Sequence, residues 1–299
     1  MRTRKAIVWS LVAAALPMLL AARRVVLDVR GAIEDFYPPL SRNPPAPPPG
    51  MSEASFSVGA ITIRGYSAPS RNGAEVILVH GTGADSTSLF ERARMLVDRG
   101  FGVFAFDGPG HGRSGGKVTW DEFERATLSA AIDHCSNEAS GTPVAIGILG
   151  VSMGAYIAVQ VAARDPRIRA VVLEGAFTSL GDLVVAQSSP FGQLRAIPVR
   201  IVDRALGMNF DRDQPIDIIH RISPRPLLLI SGNHDDVVPP WMTDRLFENA
   251  GPPKLLWHVE AAHHVDVPVV APSEYAVRVA SFFDEALVGT HPLPPKQSP

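Results

Sequence analysis

Val144-Ala-Ile-Gly-Ile-Leu-Gly-Val-Ser-Met-Gly154 is a short apolar run that meets a serine between two glycines and then enters a helical pattern, Met153 to Arg164. A continuous apolar run, Val144 to Leu149, is what a strand buried on both faces requires. The Gly150-x-Ser152-x-Gly154 pattern fits a sharp strand-to-helix turn that lifts Ser152 clear of a sheet. The two glycines let neighbouring backbone pass close by without Cβ clashes. The helix that follows aims its N-terminus at the same place and favours negative charge developing there. By itself the pattern is short and common, and a serine at an ordinary β–α turn fits it too. The context on either side, and the residues that follow in the chain, carry the argument further.

Outward from this turn the chain alternates strand-like and helix-like segments. Strands are expected at Ser57 to Arg64, Glu75 to His80, Phe101 to Phe106, Ala170 to Leu173, Pro226 to Ile230 and Leu255 to Val259. Helices are expected at Ser86 to Arg99, stopped by Gly100, at Trp120 to Asn137, and at Ser273 to Leu287. This alternation predicts an α/β fold, a mostly parallel central sheet with helices on both faces. In such sheets the site lies beyond the C-terminal ends of the strands. The segment of about 176–222 breaks the rhythm and is too long for a simple connection. It is read as a small helical cap over the strand ends.

Two histidine and carboxylate pairs follow strands downstream of Ser152. Ser231-Gly-Asn-His-Asp-Asp-Val-Val-Pro239 offers Asp235 and Asp236; Glu260-Ala-Ala-His-His-Val-Asp266 offers His263 and His264. A histidine can take a serine proton and return it to a leaving group, and a carboxylate fixes its tautomer. The order Ser, Asp, His is that of a strand-elbow hydrolase. A metal site among His234, Asp235, Asp236, His263, His264 and Asp266 lacks a helical His-x-x-x-His fingerprint, so no metal is expected there. Spacing alone does not separate Asp235 from Asp236, or His264 from His263.

Five segments together resemble the α/β-hydrolase superfamily. They are His80-Gly-Thr-Gly83, Asp107-Gly-Pro-Gly-His-Gly-Arg-Ser114, Gly150–Gly154, and the two downstream segments just quoted. The likeness spans roughly residues 55 to 288. The short cap and leading apolar segment are similar to the serine aminopeptidase-like and monoglyceride-lipase-like branch. Gly232-Asn-His-Asp235-Asp-Val-Val-Pro239 resembles the family's acid segment with Asp235 as the triad acid. Ala261-Ala-His-His264 resembles its base segment with His264 as the base and His263 where relatives carry glycine. A tetrahedral oxyanion needs two preorganised N–H donors. The resemblance implies Met153 for one and Thr82 for the other. It also implies a serine hydrolase, carboxylesterase- or lipase-like, that cleaves esters, thioesters or amides through an acyl-enzyme without a cofactor. His80 is expected to brace its loop and His111 to be a loop residue.

The remaining chain bounds the setting. Of 299 residues, 46% are hydrophobic, enough for one large core. A net charge of −2 gives no basic excess for phosphates, which argues against a nucleic-acid partner. Cys135 is the single cysteine, so no disulfide can form within the chain. Met1-Arg-Thr-Arg-Lys5 precedes an apolar run from Ala6 to Ala22, followed by Arg23 and Arg24. As a helix the run would span roughly 25 Å. Residues 1–24 are read as a single-pass membrane anchor in preference to a cleaved signal sequence, with the domain on the extracytoplasmic side. Residues 25–53 are read as a juxtamembrane and Pro-rich linker, 54–288 as the hydrolase domain, and 289–299 as a disordered tail. The expected partner is a small-molecule or lipid acyl substrate. A membrane-tethered serine peptidase, with Glu174 or Asp182 holding a substrate amine, is one alternative. A catalytically silent binding protein on the same fold is another.

Overall fold

The computed structural model describes residues 44–119, 122–138, 144–187 and 212–289. The expected anchor, most of the linker, the centre of the expected cap and the tail lie outside the described residues. Among the described residues no helix is long and apolar enough to cross a membrane.

Eight strands form one sheet: β1 Ser52–Val58, β2 Ile61–Ala68, β3 Ala74–Val79, β4 Gly102–Phe106, β5 Ala145–Val151, β6 Ile168–Glu174, β7 Leu227–Gly232 and β8 Lys254–Val259. Their spatial order is β1-β2-β4-β3-β5-β6-β7-β8. β1, β2 and β4 pair antiparallel, and every other pair is parallel. β4 and β7 are buried along their whole length and β3, β5 and β6 at all but one residue each, which is why these sequences run apolar rather than alternating. The expected strand Ser57 to Arg64 is instead a hairpin. Gly59, at φ 58°, opens a two-residue turn that pairs Val58 with Ile61. Apolar residues alternate through Phe56, Val58 and Ala60 and resume one position out of phase at Ile61 and Ile63, and that shift of phase marks the turn.

The helices are α1 Phe90–Asp98, α2 Glu122–Glu138, α3 Met153–Ala162, α4 Leu180–Gln187, α5 Pro215–Ile218, α6 Pro240–Asn249, α7 Val267–Val270 and α8 Pro272–Phe283. A 3₁₀ turn at Ser86–Leu89 leads into α1, and Gly100, at φ 88°, ends it in a conformation that suits glycine. All ten residues of α3 are buried. The helix is apolar all round because it lies against the sheet on one side and other elements on the other. The sequence reading leaves α6 unassigned. Its proline-rich start suits a first helical turn, where Pro240 loses no intrahelical bond.

Two apolar cores fill the two faces of the sheet. One holds Ile77, Phe104, Ile148, Tyr156 and Leu173; the other holds Val76, Leu96, Val103, Leu149 and Phe283. Chain order reverses at β3, with β4 on one side and β5 on the other. A crevice therefore opens beyond the C-terminal ends of β3 and β5. The turn after β3 and the turn after β5 both face it.

Candidate active site

Ser152 joins β5 to α3 with φ 54° and ψ −114°. For a non-glycine residue this conformation costs roughly 1–3 kcal/mol and must be imposed by its surroundings. The surroundings are tight. The Ser152 N–H donates to the Glu174 carbonyl of β6 at 2.9 Å, and its own carbonyl accepts from Ala155 and Tyr156. A Cβ on Gly150 would come within 2.5 Å of the Gly154 carbonyl oxygen. One on Gly154 would come within 2.1 Å of the Val79 carbonyl oxygen. Those two clashes explain why the pattern needs glycine at both places.

The loops after β7 and β8 are sewn together by backbone. Asn233 N–H donates to Val259, and His234 N–H donates to Ala262. At Gly232 a Cβ would strike the carbonyl oxygens of Ala262 and His263, each at 2.4 Å. This close approach brings Asp235 and His264 together. His264 Nδ1–H donates to Asp235 Oδ2 at 2.7 Å, and Ser152 Oγ–H donates to His264 Nε2 at 3.0 Å. A carboxylate only accepts, so its bond fixes the imidazole as the Nδ1–H tautomer and leaves Nε2 free to accept. The other Asp235 oxygen takes the N–H groups of Val237 and Val238, at 2.9 and 2.7 Å. The Asp235 side chain is 1% exposed and that of His264 19%. Asp236 and His263 are exposed, and neither enters this chain of bonds. His234 is also exposed. Among the described residues no group of His, Cys, Asp and Glu side chains could hold a metal ion.

The turn after β3 lies against Ser152. A Cβ on Gly81 would come 3.2 Å from Ser152 Cβ. Gly83, at φ 74°, completes the turn around Thr82. Among the described residues, no protein acceptor takes the N–H of Thr82 or of Met153. Met153 directly follows Ser152 in the chain, and Thr82 directly follows Gly81, which lies against the Ser152 side chain. His80 is buried with both ring nitrogens in use: Nδ1–H donates to the Gly81 carbonyl at 2.7 Å, and Nε2 accepts from Gly108 N–H at 2.8 Å. Burial, reinforced by neighbouring His111, pushes its pKa down to about 4. His80 is therefore a neutral brace, as the sequence suggests. His111 is buried too, its ring against that of His80, and Nδ1–H donates to the Pro109 carbonyl. Its burial lowers its pKa.

Asp107 closes the next turn from inside. One of its oxygens accepts from Ser86 N–H and Ser86 Oγ–H; the other accepts from Arg113 N–H. Ser114 Oγ–H donates to the Asp107 carbonyl. The acidic residues considered for a substrate amine are otherwise engaged. Glu174 is not in the cap: it ends β6, 1% exposed, with both oxygens bound. Asp182 accepts from Thr178 Oγ–H. A cavity of about 440 Å³ is lined by Arg125, Gln160, Arg164 and Asp213, and it contains none of Ser152, Asp235 and His264. Residues 188–211, in the expected cap, lie outside the described residues, so no pocket wall is assigned to them.

The fold is that of the α/β hydrolases. Among solved structures, the esterase Pf2001 of Pyrococcus furiosus superposes with a TM-score of 0.70 at 23% identity, over 84% of this chain and 98% of that one. Residues 70–214 match the family described as Serine aminopeptidase, S33. The Escherichia coli K12 protein YfhR, itself uncharacterized, is 28% identical over 251 residues, which are 81% of this chain and 83% of YfhR. The 2,6-dihydropseudooxynicotine hydrolase of Paenarthrobacter nicotinovorans is 33% identical over 106 residues, 35% of this chain and 29% of that protein.

Proposed function

We propose that the protein is a serine hydrolase that cleaves esters of a small-molecule or lipid acyl substrate through an acyl-enzyme. The observation that carries this reading is the unbroken chain of hydrogen bonds from Ser152 through His264 to Asp235. In it, Ser152 Oγ attacks the ester carbonyl as its proton passes to His264 Nε2. The tetrahedral oxyanion lies between the N–H groups of Thr82 and Met153. His264 returns the proton to the leaving alcohol. A water molecule, deprotonated by the same imidazole, then releases the acid and restores Ser152. Asp235 keeps the ring in the useful tautomer and stabilises the imidazolium. The step draws on no metal or cofactor.

An ester is favoured over a peptide because Glu174 and Asp182, the candidate holders of a substrate amine, already have partners. The serine aminopeptidase match keeps a peptidase as the second reading. Peptides with a free amine hydrolysed faster than blocked peptides, and faster than esters, would favour it. The leading apolar run supports a further proposal, that residues 1–24 tether the enzyme to a membrane with its domain on the extracytoplasmic side. Membrane fractionation of the full chain, with protease added from each side, tests that address.

The decisive experiment joins p-nitrophenyl acyl esters of graded chain length with a fluorophosphonate probe. The wild-type chain is labelled and hydrolyses the esters. Ser152→Ala loses the label, and its kcat falls by about 10,000-fold or more. Labelling that survives in Ser152→Ala overturns the nucleophile. A wild-type chain that neither labels nor turns over supports a silent binding protein.

A further inference from the structure

The catalytic loops are fastened from below by an ion pair that takes no part in the hydrogen-bond chain itself. Arg92, on α1, and Glu174, at the end of β6, have side chains only 7% and 1% exposed. The guanidinium grips the carboxylate with two bonds, Nε to Oε2 at 3.0 Å and Nη2 to Oε1 at 2.7 Å. Tyr275 Oη–H, from α8, donates to Oε2 at 2.9 Å. Burial, and then the adjacent Glu174 charge, raise the Tyr275 pKa well above its ordinary value, so the phenol remains a donor. Burial alone would lower the Arg92 pKa, but Glu174 outweighs it and holds the guanidinium charged.

Two further bonds tie this buried trio to the reacting groups. The Glu174 carbonyl accepts the N–H of Ser152. Arg92 Nη2 also donates to the carbonyl of Val265 at 2.8 Å. Val265 follows His264 directly and is bent to φ 52°, a conformation that β-branched residues rarely adopt. Between them lies Gly175, at φ 62°, where a Cβ would come 3.1 Å from His264 Cε1 and 2.9 Å from Val265 Cγ1. The end of β6 is thus the floor on which the His264 turn rests. Among the described residues, the Arg92 guanidinium is the donor that links that floor, through Glu174, to the carbonyl of the bent Val265.

We propose that Arg92, oriented by Glu174 and Tyr275, is a positioning residue that locks the Val265 carbonyl and so aims the His264 imidazole between Ser152 and Asp235. The inference rests on the triad assignment for its kinetic consequence, but not for its structural one. A buried ion pair and its phenol partner serving only to stabilise the fold can be replaced by apolar residues of similar size with little loss. A positioning trio cannot, because the Val265 carbonyl then loses its donor.

The test uses the full chain with two variants, Arg92→Lys and the apolar replacement Arg92→Met/Glu174→Leu/Tyr275→Phe. Lysine retains the charge but not the forked geometry that spans carboxylate and carbonyl. Both variants are expected to unfold cooperatively. Their kcat on a p-nitrophenyl ester should fall at least about 20-fold, with KM within about threefold and a displaced acid limb in the kcat–pH profile. The far-downfield proton signal of His264 Nδ1–H, assigned by its loss in His264→Gln, should disappear from both. Arg94→Ala, which removes an exposed cation two residues away, should alter none of these. Folded variants that keep the proton signal and the kcat overturn the proposal. So does failure of both variants to fold, which would make the trio a purely structural pair and its anchor. If wild-type turnover does not depend on Ser152, the triad reading fails by itself. The proton signal then decides the positioning role alone.

Discussion

Two pairs of turns carry the same residue types at the same edge of the sheet, yet they are built for different purposes. After β3 and β4 stand His80 and Asp107; after β8 and β7 stand His264 and Asp235. All four side chains follow a parallel strand, and three of them are buried outright. The difference is in what their last free atoms face. His80 spends both ring nitrogens on backbone, and Asp107 spends both oxygens on the Ser86 and Arg113 turns. Asp235 spends one oxygen on backbone and gives the other to an imidazole, and that imidazole gives its second nitrogen to a hydroxyl. A saturated polar group holds shape; one with a single partner left open can hand a proton along.

Isosteric substitution of the two aspartates should break this comparison most sharply. In Asp235→Asn the amide can still accept from Val237 and Val238, but it presents N–H to His264 Nδ1. The ring then adopts the other tautomer, and Nε2 can no longer accept from Ser152. We expect kcat to fall by about 1,000- to 10,000-fold with stability little altered. In Asp107→Asn the amide N–H confronts the Arg113 N–H or the Ser86 donors in a buried turn. Stability should drop by about 1–3 kcal/mol, while the folded fraction keeps kcat within about tenfold. Urea titration beside ester kinetics separates the two. Equal losses of kcat in both variants would erase the distinction drawn between the turns.

The sequence exposes one of these regions more readily than the other. Ser152 is legible because a buried strand, a glycine-flanked serine and a buried helix leave a local signature. The choice within each doublet is not local. Asp235 is selected over Asp236 by the approach of the Ala262 and His263 carbonyls to Gly232, a contact between loops about thirty residues apart. Arg92 escaped the sequence reading altogether, although a signal was present. It falls on the same buried face of α1 as Ala93, Leu96 and Val97, where a cation demands a partner. Glu174, at the end of an apolar strand, is that partner. The β1–β2 hairpin is legible only as a slip of phase: apolar residues alternate through Phe56, Val58 and Ala60 and resume at Ile61 and Ile63, a one-residue shift that a single-strand reading absorbs.

Acid should sharpen the contrast between the histidines, with an intermediate effect. His80 is neutral in the native state because its pKa is pushed down to about 4 from an ordinary 6.5. Below pH 6.5 the unfolded chain gains a proton that the native chain refuses until about pH 4. The stabilisation from this site is therefore complete above pH 6.5 and is lost progressively as pH falls through that window. It amounts to about 2 kcal/mol between pH 7 and pH 5. His111, whose pKa is also lowered by burial, acts in the same direction. Urea midpoints at the two pH values measure the loss, and His80→Asn should show a shallower dependence. An unchanged slope in that variant would mean that His80 is not the group being titrated.

The smallest effects are expected at the doublet partners, and their smallness is the point. Asp236 and His263 each stand beside a member of the proposed triad, carry the same functional group and lie exposed. Proximity in sequence gives them no access to the reaction, because turning one residue along either loop points the side chain away from the other. Asp236→Ala removes a solvated carboxylate. His263→Ala removes a ring that lies beside that of His234, while its main-chain N–H still donates to Asp266. Each should leave kcat/KM within about twofold and stability within about 0.5 kcal/mol. A large loss in Asp236→Ala, with Asp235→Asn still active, would transfer the acid by one residue. The same outcome at His263 would transfer the base. Either result would show that the loops after β7 and β8 meet in a different register during turnover, since no side-chain rotation alone exchanges adjacent positions across so close a backbone contact.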